Sequence, residues 1–280
     1  MRLFLLTALT MCAFAANSVL NRLAIDSGAS DPTSFAVVRV LSGALVLVIL
    51  VFLRRGPLPL TSARRIVGAG SLSLYMIGFS VAYLTLDAGV GALILFAVVQ
   101  ITMFTASAFS GTAPTIRQVS GALVALAGLA FVLWPSEMLT VDLFGAALMT
   151  AAGVGWAAYS LAGRSEPDAL SGTAANFVVA LPVTALGMLM ISGAWQMSAA
   201  GYGLAAVSGG VTSGLGYALW YRVLPQLVPT VAAVVQLSVP VIAIAGGVVL
   251  LGEAASLRLL LGAGLVLGGI ALAVLNVKRS

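Results

Sequence analysis

Long runs of apolar residues, each interrupted by a short cluster of charged or turn-forming residues, follow one another along almost the whole chain. A membrane-spanning α-helix needs about 20 consecutive apolar residues. Prolines within the runs are compatible with spanning helices, because neighbouring helices satisfy the freed backbone groups. The pattern predicts an all-α integral membrane protein with ten transmembrane helices. The ten runs cover residues 3–23, 33–53, 66–86, 88–110, 117–134, 143–163, 170–191, 203–223, 229–250 and 257–277.

The composition requires lipid rather than water as the main solvent of this chain. Of its 280 residues, 61% are hydrophobic and 8% are charged, whereas a soluble domain carries about 25% charged residues. Ten spanning helices with short connections consume nearly the whole length and leave no room for a soluble domain. The net charge is +5, but the basic residues mark the ends of the apolar runs. They form no cluster that would bind nucleic acid, so the expected surroundings are the lipid bilayer.

Side chains that carry enzymatic or metal chemistry are scarce. The chain has no histidine and a single cysteine, Cys12. It therefore lacks the commonest metal ligand and the usual proton-transfer group near neutral pH. We recognise no nucleophile–base pair, no metal-ligand cluster and no phosphate-binding loop in the sequence. We expect a protein that is not an enzyme and that needs neither a cofactor nor a metal.

Basic residues are distributed unequally between the two sets of connections. If the N-terminus is cytoplasmic, ten of them fall on the cytoplasmic side and two, Arg22 and Arg258, on the other. Short cytoplasmic loops of membrane proteins are enriched in lysine and arginine. The asymmetry predicts a bacterial-type plasma (inner) membrane protein with both termini in the cytoplasm, and it favours an even number of helices. The cytoplasmic set is Arg2, Arg54, Arg55, Arg64, Arg65, Arg117, Arg164, Arg222, Lys278 and Arg279.

Two halves of the sequence resemble each other at a nearly constant spacing. Residues 14–22 (FAANSVLNR) align with residues 156–164 (WAAYSLAGR) at an offset of 142. The spacing predicts two five-helix repeats, residues 1–135 and residues 136–280. Because five is odd, the second repeat would be inverted in the membrane, an arrangement typical of secondary transporters. At an offset of 141, the repeated glycines are Gly111 with Gly252, Gly121 with Gly262, and Gly128 with Gly269.

The first apolar run has an alternative interpretation. Arg2, an apolar stretch and the motif Ala13-Phe14-Ala15 together resemble a cleavable signal peptide. Cleavage there would divide the segment that aligns with residues 156–164. We therefore favour a retained first helix.

Several motifs of the second half are familiar from one group of transporters. Residues 217–222 (YALWYR), the later Pro240 and the glycine-rich run 261–269 (LGAGLVLGG) resemble EamA-type permeases of the drug/metabolite transporter superfamily. Arg39 resembles the arginine that this family often carries in its second helix. The resemblance implies a five-plus-five inverted repeat, a central cavity and traffic of metabolites, often outward. The first half departs from the pattern at Gly111-Thr112, and the range of substrates in the superfamily leaves the substrate open.

Polar side chains at bilayer depth are candidates for a substrate cavity, because they are costly in hydrocarbon and face the protein interior or water. Asn17 and Tyr159 occupy equivalent stripes of the first and sixth helices, and interhelical hydrogen bonding is the structural alternative. Gln100 and Gln236 lie in the middle of the fourth and ninth helices. Pro240, one turn beyond Gln236, lacks an N–H, so we expect the backbone carbonyl of Gln236 to be free to bind a solute.

Aromatic and charged residues complete the candidate cavity. Trp156 lies on the same stripe of the sixth helix as Tyr159, with the same structural alternative. Tyr75 and Tyr217 could stack on a planar or amphipathic solute, although aromatic residues near helix ends are also ordinary interfacial residues. Arg39 is the one charge within an apolar run, about 9 Å from the start of its helix. It either attracts a substrate carboxylate or phosphate, or it reaches the outer surface or pairs with Asp87.

These observations predict a secondary transporter that moves a small metabolite by alternating access. The expected substrate is an amino acid-like or related polar or amphipathic solute, and the expected direction is export. The alternative is a solute channel or membrane scaffold without alternating access. Because no Asp or Glu lies near a helix centre, facilitated diffusion or coupling through the substrate is favoured over proton coupling. The candidate cavity residues are Asn17, Arg39, Tyr75, Gln100, Trp156, Tyr159, Tyr217 and Gln236.

Overall fold

The structure, a computed structural model, describes residues 1–86, 88–134, 142–191, 195–251 and 257–275, and within these ranges it is helical with no β-strand. The prediction of an all-α protein is confirmed. Seven uninterrupted helices come first: α1 (Arg2–Asp26), α2 (Pro32–Leu53), α3 (Ala63–Ala82), α4 (Ala88–Phe109), α5 (Ile116–Leu133), α6 (Leu143–Gly163) and α7 (Ala169–Ile191). Four residues named in the predictions lie outside the described ranges: Asp87, Gly252, Lys278 and Arg279.

Two of the three remaining helical segments are interrupted. Segment α8 has an α-helical part Ala199–Val207, a π-helical part Ser208–Leu215 and a second α-helical part Gly216–Val223. Segment α9 consists of Pro229–Val235 and Ser238–Leu251, with a break at residues 236–237, and α10 is Leu257–Val274. In the described residues, nine helices are long and apolar enough to cross a membrane, and α8 is the segment that is not among them. Segment α8 corresponds to the predicted run 203–223, and the other nine predicted runs coincide with the nine helices.

Contacts between connections define two faces of the molecule. We call the face where α1 ends and α2 begins (residues 26–32) the open face, and the face where α2 ends and α3 begins (residues 53–63) the sealed face. At the open face, Asp31 bonds to Gln196 before α8, and Thr85 after α3 bonds to Asp142 before α6. At the sealed face, the α2–α3 connection contacts the α6–α7 connection. Successive helices therefore run between the faces in alternating directions.

The packing contacts between helices of the two predicted repeats occur in matching pairs. Helix α1 packs against α8 and α9, and its predicted counterpart α6 packs against α3 and α4. Helix α2 packs against α8, and its counterpart α7 packs against α3. The pairs α2–α7, α4–α9 and α5–α10 join predicted counterparts directly. The main helix contacts of one half therefore have equivalents in the other half.

Glycines bring α5 and α10 into close antiparallel contact. A Cβ atom built on Gly121 would lie 2.5 Å from the carbonyl oxygen of Gly269, and one built on Gly128 would lie 2.9 Å from the carbonyl oxygen of Gly262. Such small residues permit the close helix approach that stabilises helix pairs in lipid. At the predicted offset of 141, Gly262 is the counterpart of Gly121 and Gly269 that of Gly128. The crossing is therefore symmetric with respect to the repeat.

Candidate functional site

A cavity of about 520 Å³ lies between the two halves. Its lining comes from the open-face halves of α1 to α4 and of α9, with Trp156 of α6 and Tyr217 of α8 at its deep end. Near the open face the lining includes Arg22, Pro32 and Tyr83. The described lining includes no residue from the α2–α3 or α6–α7 connections at the sealed face. The cavity therefore leads from the open face to the middle of the molecule.

Trp156 forms the floor of this cavity and contacts four other aromatic rings. The ring of Phe14 meets it edge to face with centroids 5.4 Å apart, and the rings of Tyr217, Tyr75 and Tyr159 lie at 4.9, 5.0 and 5.6 Å. Aromatic pairs at such distances gain about 0.5–1.5 kcal/mol beyond the burial of their area. Phe14 and Trp156 occupy the same position in the two aligned segments, so the predicted counterparts touch at the centre of the molecule.

Gln236 holds the indole of Trp156 in place. The indole Nε1 donates to Oε1 of Gln236 at 2.5 Å, and Nε2 of Gln236 donates to the carbonyl oxygen of Ala232 at 2.8 Å. The expectation of a free Gln236 backbone carbonyl is wrong, because the break in α9 lets that carbonyl accept the N–H of Val239 at 3.0 Å. The side chain of Gln236, rather than its backbone, is therefore the group at the cavity.

Gln100 and Tyr159 lie behind the cavity wall. The amide nitrogen of Gln100 donates to the carbonyl oxygen of Ala233 at 2.7 Å and so joins α4 to α9. Tyr159 has no solvent exposure and packs between Trp156 and Tyr221. The other six predicted residues line the cavity: Asn17, Arg39, Tyr75, Trp156, Tyr217 and Gln236.

Asn17 connects α1 to the π-helical part of α8. Its side-chain oxygen accepts hydrogen bonds from the hydroxyl groups of Ser208, Thr212 and Ser213. The π-helical turn brings these three hydroxyl groups to one side of α8, where they meet the same acceptor. π-Helical turns of this kind occur frequently at functional sites. The irregular part of α8 therefore lies directly behind Asn17, which lines the cavity.

Arg39 is a buried cation in the cavity wall. Only 5% of the surface of Arg39 is exposed, and its Nη2 donates a hydrogen bond to the sulfur of Met76 at 2.7 Å. The guanidinium Nε is buried without a hydrogen-bond partner. No carboxylate of the described residues forms an ion pair with Arg39; the predicted partner Asp87 lies outside the described ranges.

Two ion pairs and a hydrogen-bond chain close the sealed face. Arg65 pairs with Glu166, and both side chains are almost fully buried; Arg54 pairs with Asp168, and both are partly exposed. Nη1 of Arg65 also donates to Oδ1 of Asn176 at 2.7 Å. From there the chain continues toward the cavity floor, because Asn176 donates to the hydroxyl of Tyr221, which donates to the carbonyl oxygen of Tyr159. We call the four paired residues Arg54, Arg65, Glu166 and Asp168 the ionic latch.

From the sequence, Arg54 and Arg65 were predicted only as basic residues of the cytoplasmic connections, and Glu166 and Asp168 were not singled out. The available signal was that Arg64-Arg65 and Glu166 fall in connections assigned to the same side of the membrane. That signal does not say which connections meet, because residues 65 and 166 are brought together only by the packing of α3 against α6 and α7.

Carboxylates at the helix ends stabilise the connections between helices. Burial tends to raise the pKa of Asp168, but hydrogen bonds from Arg54 and Ser171 outweigh it and leave the pKa below its usual value. The pKa of Asp31 is lowered in the same way: burial tends to raise it, but hydrogen bonds from Ser34, Gln196 and Thr33 outweigh the effect of burial. Both side chains are therefore ionised at neutral pH.

Comparisons with known proteins agree with this architecture. The chain is 45% identical over 272 residues to the uncharacterized protein PA1977 of Pseudomonas aeruginosa, covering 97% of this chain and 94% of that protein. A solved protein crystal structure superposes with a TM-score of 0.78 at 21% identity, covering 95% of this chain and 98% of that one; at this identity the likeness concerns the fold alone. Residues 143–275 match the sequence profile of the EamA-like transporter family. The chain therefore carries an EamA-like transporter family domain at residues 143–275 and is a membrane protein of the drug/metabolite transporter superfamily.

Proposed function

We propose that this protein is a secondary transporter that exports a small metabolite across the inner membrane by alternating access. The observation that carries the proposal is the asymmetry of the central cavity. It reaches the open face, and it ends at the aromatic floor around Trp156 above the ionic latch. A cavity open at one face and closed at the other is the geometry of one end state of an alternating-access carrier.

The inverted repeat is the second support. The reciprocal helix contacts and the glycine crossing of α5 and α10 are what a pseudo-two-fold axis in the membrane plane requires. With ten spans, including the interrupted α8, the two halves would be residues 1–135 and residues 136–280. Two halves of nearly equal structure can exchange roles, so that the open face closes as the sealed face opens.

The charges at the two faces support one orientation of the chain in the membrane. The described basic residues at the sealed face outnumber those at the open face, where Arg22 and Arg258 lie. This distribution supports a cytoplasmic sealed face and a cytoplasmic N-terminus. In this orientation the structure corresponds to an outward-open state. The described residues of the sealed face that carry the charge are Arg2, Arg54, Arg55, Arg64, Arg65, Arg117, Arg164 and Arg222.

The cavity suits a small solute with polar and apolar parts. Its volume of about 520 Å³ falls within the range of about 300–1,000 Å³ that is typical of small-molecule sites. Aromatic rings form the floor, and amide and guanidinium groups stand in the walls. This lining supports an amino acid-like or related amphipathic metabolite. The described lining holds no Asp or Glu, which favours facilitated diffusion or coupling through the substrate over proton coupling.

The alternative function is a solute channel or a scaffold without alternating access. Transport by the purified chain in proteoliposomes separates these possibilities, using a panel of labelled amino acids and related metabolites. A carrier shows saturable flux that is accelerated by unlabelled solute on the opposite side. Flux that rises linearly with concentration would instead indicate a channel, and absence of flux for the whole panel would favour a scaffold.

Cysteine labelling tests the conformational cycle directly. In a Cys12→Ser background, Ser80→Cys reports on the cavity wall, and Ser160→Cys reports on a buried position between the cavity floor and the sealed face. A membrane-impermeant maleimide should label the first site from the open face and leave the second unlabelled. A transported solute should shift the two labelling rates in opposite directions. Rates that rise together would contradict alternating access.

A further inference from the structure

The guanidinium of Arg39 is a buried cation with unused hydrogen-bonding capacity. Its Nε is without a partner, and the only acceptor that the structure gives to its side chain is the thioether sulfur of Met76. A thioether is a weak acceptor and carries no charge. Arginine remains protonated in proteins, so the side chain cannot avoid the cost of burial by losing its proton. The positive charge of Arg39 is therefore left uncompensated by the described protein.

The backbone of Arg39 is held firmly at this position. The carbonyl oxygen of Arg39 lies so close to Gly209 in the π-helical part of α8 that a Cβ atom there would overlap it. The hydroxyl of Ser42 also bonds to the carbonyl oxygens of Arg39 and Ala205, at 3.1 and 3.3 Å. Helix α2 is thus fixed against α8, and the guanidinium is presented to the cavity at a defined depth.

We propose that Arg39 binds the carboxylate of the transported solute, so that the substrate is a small organic acid with an apolar or aromatic remainder. This inference rests on the proposed transport function and specifies its substrate class. A buried charge is stable only when an opposite charge or several strong acceptors compensate it. A carboxylate matches the planar guanidinium with two parallel hydrogen bonds. A single compensating charge is required, which favours a monocarboxylate over a more highly charged phosphate.

The remainder of such a solute fits the aromatic floor. Phe79, Tyr75 and Trp156 line the same cavity, with ring centroids 5.4 Å apart for Tyr75 and Phe79 and 5.0 Å apart for Tyr75 and Trp156. Apolar and aromatic groups gain by leaving water for such a surface. The cavity therefore offers one cationic group and one aromatic surface, which together select an amphipathic acid.

The test compares acids with neutral amides of the same shape. Binding to the full chain in detergent is followed by ligand-dependent thermal stabilisation, with phenylacetate against phenylacetamide and hexanoate against hexanamide. Loss of one charge-assisted contact predicts that each amide binds roughly tenfold or more weakly than its acid. Phenyl phosphate and inorganic phosphate are measured in parallel.

Variants assign the preference to Arg39. Arg39→Gln should reduce the acid affinity to that of the amide and leave amide binding unchanged, and Arg39→Lys should keep part of the preference. Arg54→Gln, which removes an arginine at the sealed face, is the matched control and should keep the full preference. If Arg39→Gln does not fold, the affinities for acid and amide are compared in the native chain and in Arg39→Lys. A smaller acid preference in Arg39→Lys then assigns the preference to Arg39.

Three results would overturn the inference. These are equal binding of acid and amide in the native chain, an acid preference that survives Arg39→Gln, and binding of the phosphates alone. The proposed transport function fails separately: acid binding without any flux in proteoliposomes contradicts transport and leaves the carboxylate site standing. Flux of neutral solutes with no acid preference contradicts the carboxylate site and leaves transport standing.

Discussion

The indole N–H of Trp156 donates a hydrogen bond to the side-chain oxygen of Gln236 across the base of the cavity, at 2.5 Å. The two residues come from α6 and α9, and Gln236 stands at the break of α9, where its amide nitrogen also binds the carbonyl oxygen of Ala232. The break thus provides a fixed acceptor for the central aromatic ring. This contact and the packing of the surrounding aromatic rings together set the orientation of the cavity floor.

Replacing Gln236 by leucine should therefore disturb the cavity floor. The indole N–H would lose its acceptor in a buried site, and an unsatisfied buried donor costs about 1–3 kcal/mol. We expect Gln236→Leu to weaken solute binding or transport by about tenfold or more. Concentration-dependent flux in proteoliposomes measures the effect, and Trp156→Ala should reduce flux at least as much, because it removes the floor itself.

Gln100→Leu is the matched control for this prediction. Gln100 is also a buried glutamine that bonds across helices, but it binds the carbonyl oxygen of Ala233 and does not line the cavity. We expect Gln100→Leu to lower the melting temperature while leaving the concentration dependence of flux near that of the native protein. If Gln100→Leu changes the concentration dependence of flux as much as Gln236→Leu does, Gln100 and Gln236 do not differ in their contact with the solute.

The buried ion pair of the latch should hold the sealed face closed. Replacing Glu166 by glutamine leaves Arg65 buried with a reduced set of partners, and breaking a buried pair typically costs about 3–5 kcal/mol. Because this pair joins connections that would separate when the sealed face opens, the cost falls on the state in which this face is closed. We expect Glu166→Gln to increase maleimide labelling of Ser160→Cys from the sealed face.

The second pair of the latch provides the comparison. Arg54 and Asp168 are partly exposed, and exposed pairs contribute about 0–1 kcal/mol. Asp168→Asn should accordingly change the labelling of Ser160→Cys much less than Glu166→Gln. The idea of a latch that depends on burial is refuted if Asp168→Asn opens the sealed face as strongly as Glu166→Gln.

The sequence predicted the helical architecture well because the relevant signals are local. An apolar run of about 20 residues determines a spanning helix regardless of its neighbours, and Asn17, Arg39 and Gln236 were recognisable because polar groups inside such runs are costly. The exclusion of Gln100 from the cavity could not be predicted, since the direction of one helix face depends on the rotation of α4 against α9. The π-helical part of α8 was also not predicted. Its stretch from Ser208 to Leu215 has no sequence signature distinct from a flexible, glycine-rich helix.

Stability should be insensitive to pH near neutrality and fall in acid. The chain has no histidine, so no side chain with an ordinary pKa between about 5 and 8 titrates. The pKa values of Asp31, Asp142 and Asp168 are lowered in the folded protein. For Asp142 the first cause is the hydrogen bond from Thr85. A carboxylate whose pKa is lowered by folding stabilises the folded protein at pH values above its pKa in the unfolded chain, about 3.9. This stabilisation is lost as the pH falls through the pKa of the group in the folded protein.

We therefore expect a constant melting temperature between about pH 5 and 8 and a decline below about pH 4. Asp31→Asn should reduce the decline, because asparagine is also a good N-cap residue but does not titrate in this range. A steep change in melting temperature between pH 6 and 7 would be inconsistent with this assignment.

Neighbouring glycines of α10 offer a test of the symmetric helix crossing. A Cβ atom on Gly269 would lie 2.5 Å from the carbonyl oxygen of Gly121 and 2.6 Å from the backbone nitrogen of Ala125, whereas in the described structure one on Gly268 has no atom within 4 Å. Overpacking of this kind costs about 1–3 kcal/mol. Gly269→Ala should thus lower the melting temperature, and Gly268→Ala should leave it unchanged or raise it slightly, because alanine favours helix over glycine. Gly128→Ala, the counterpart of Gly269→Ala in the other repeat, should cost about as much as Gly269→Ala. If Gly128→Ala behaves like Gly268→Ala instead, the crossing of α5 and α10 is not the symmetric contact that two inverted repeats require.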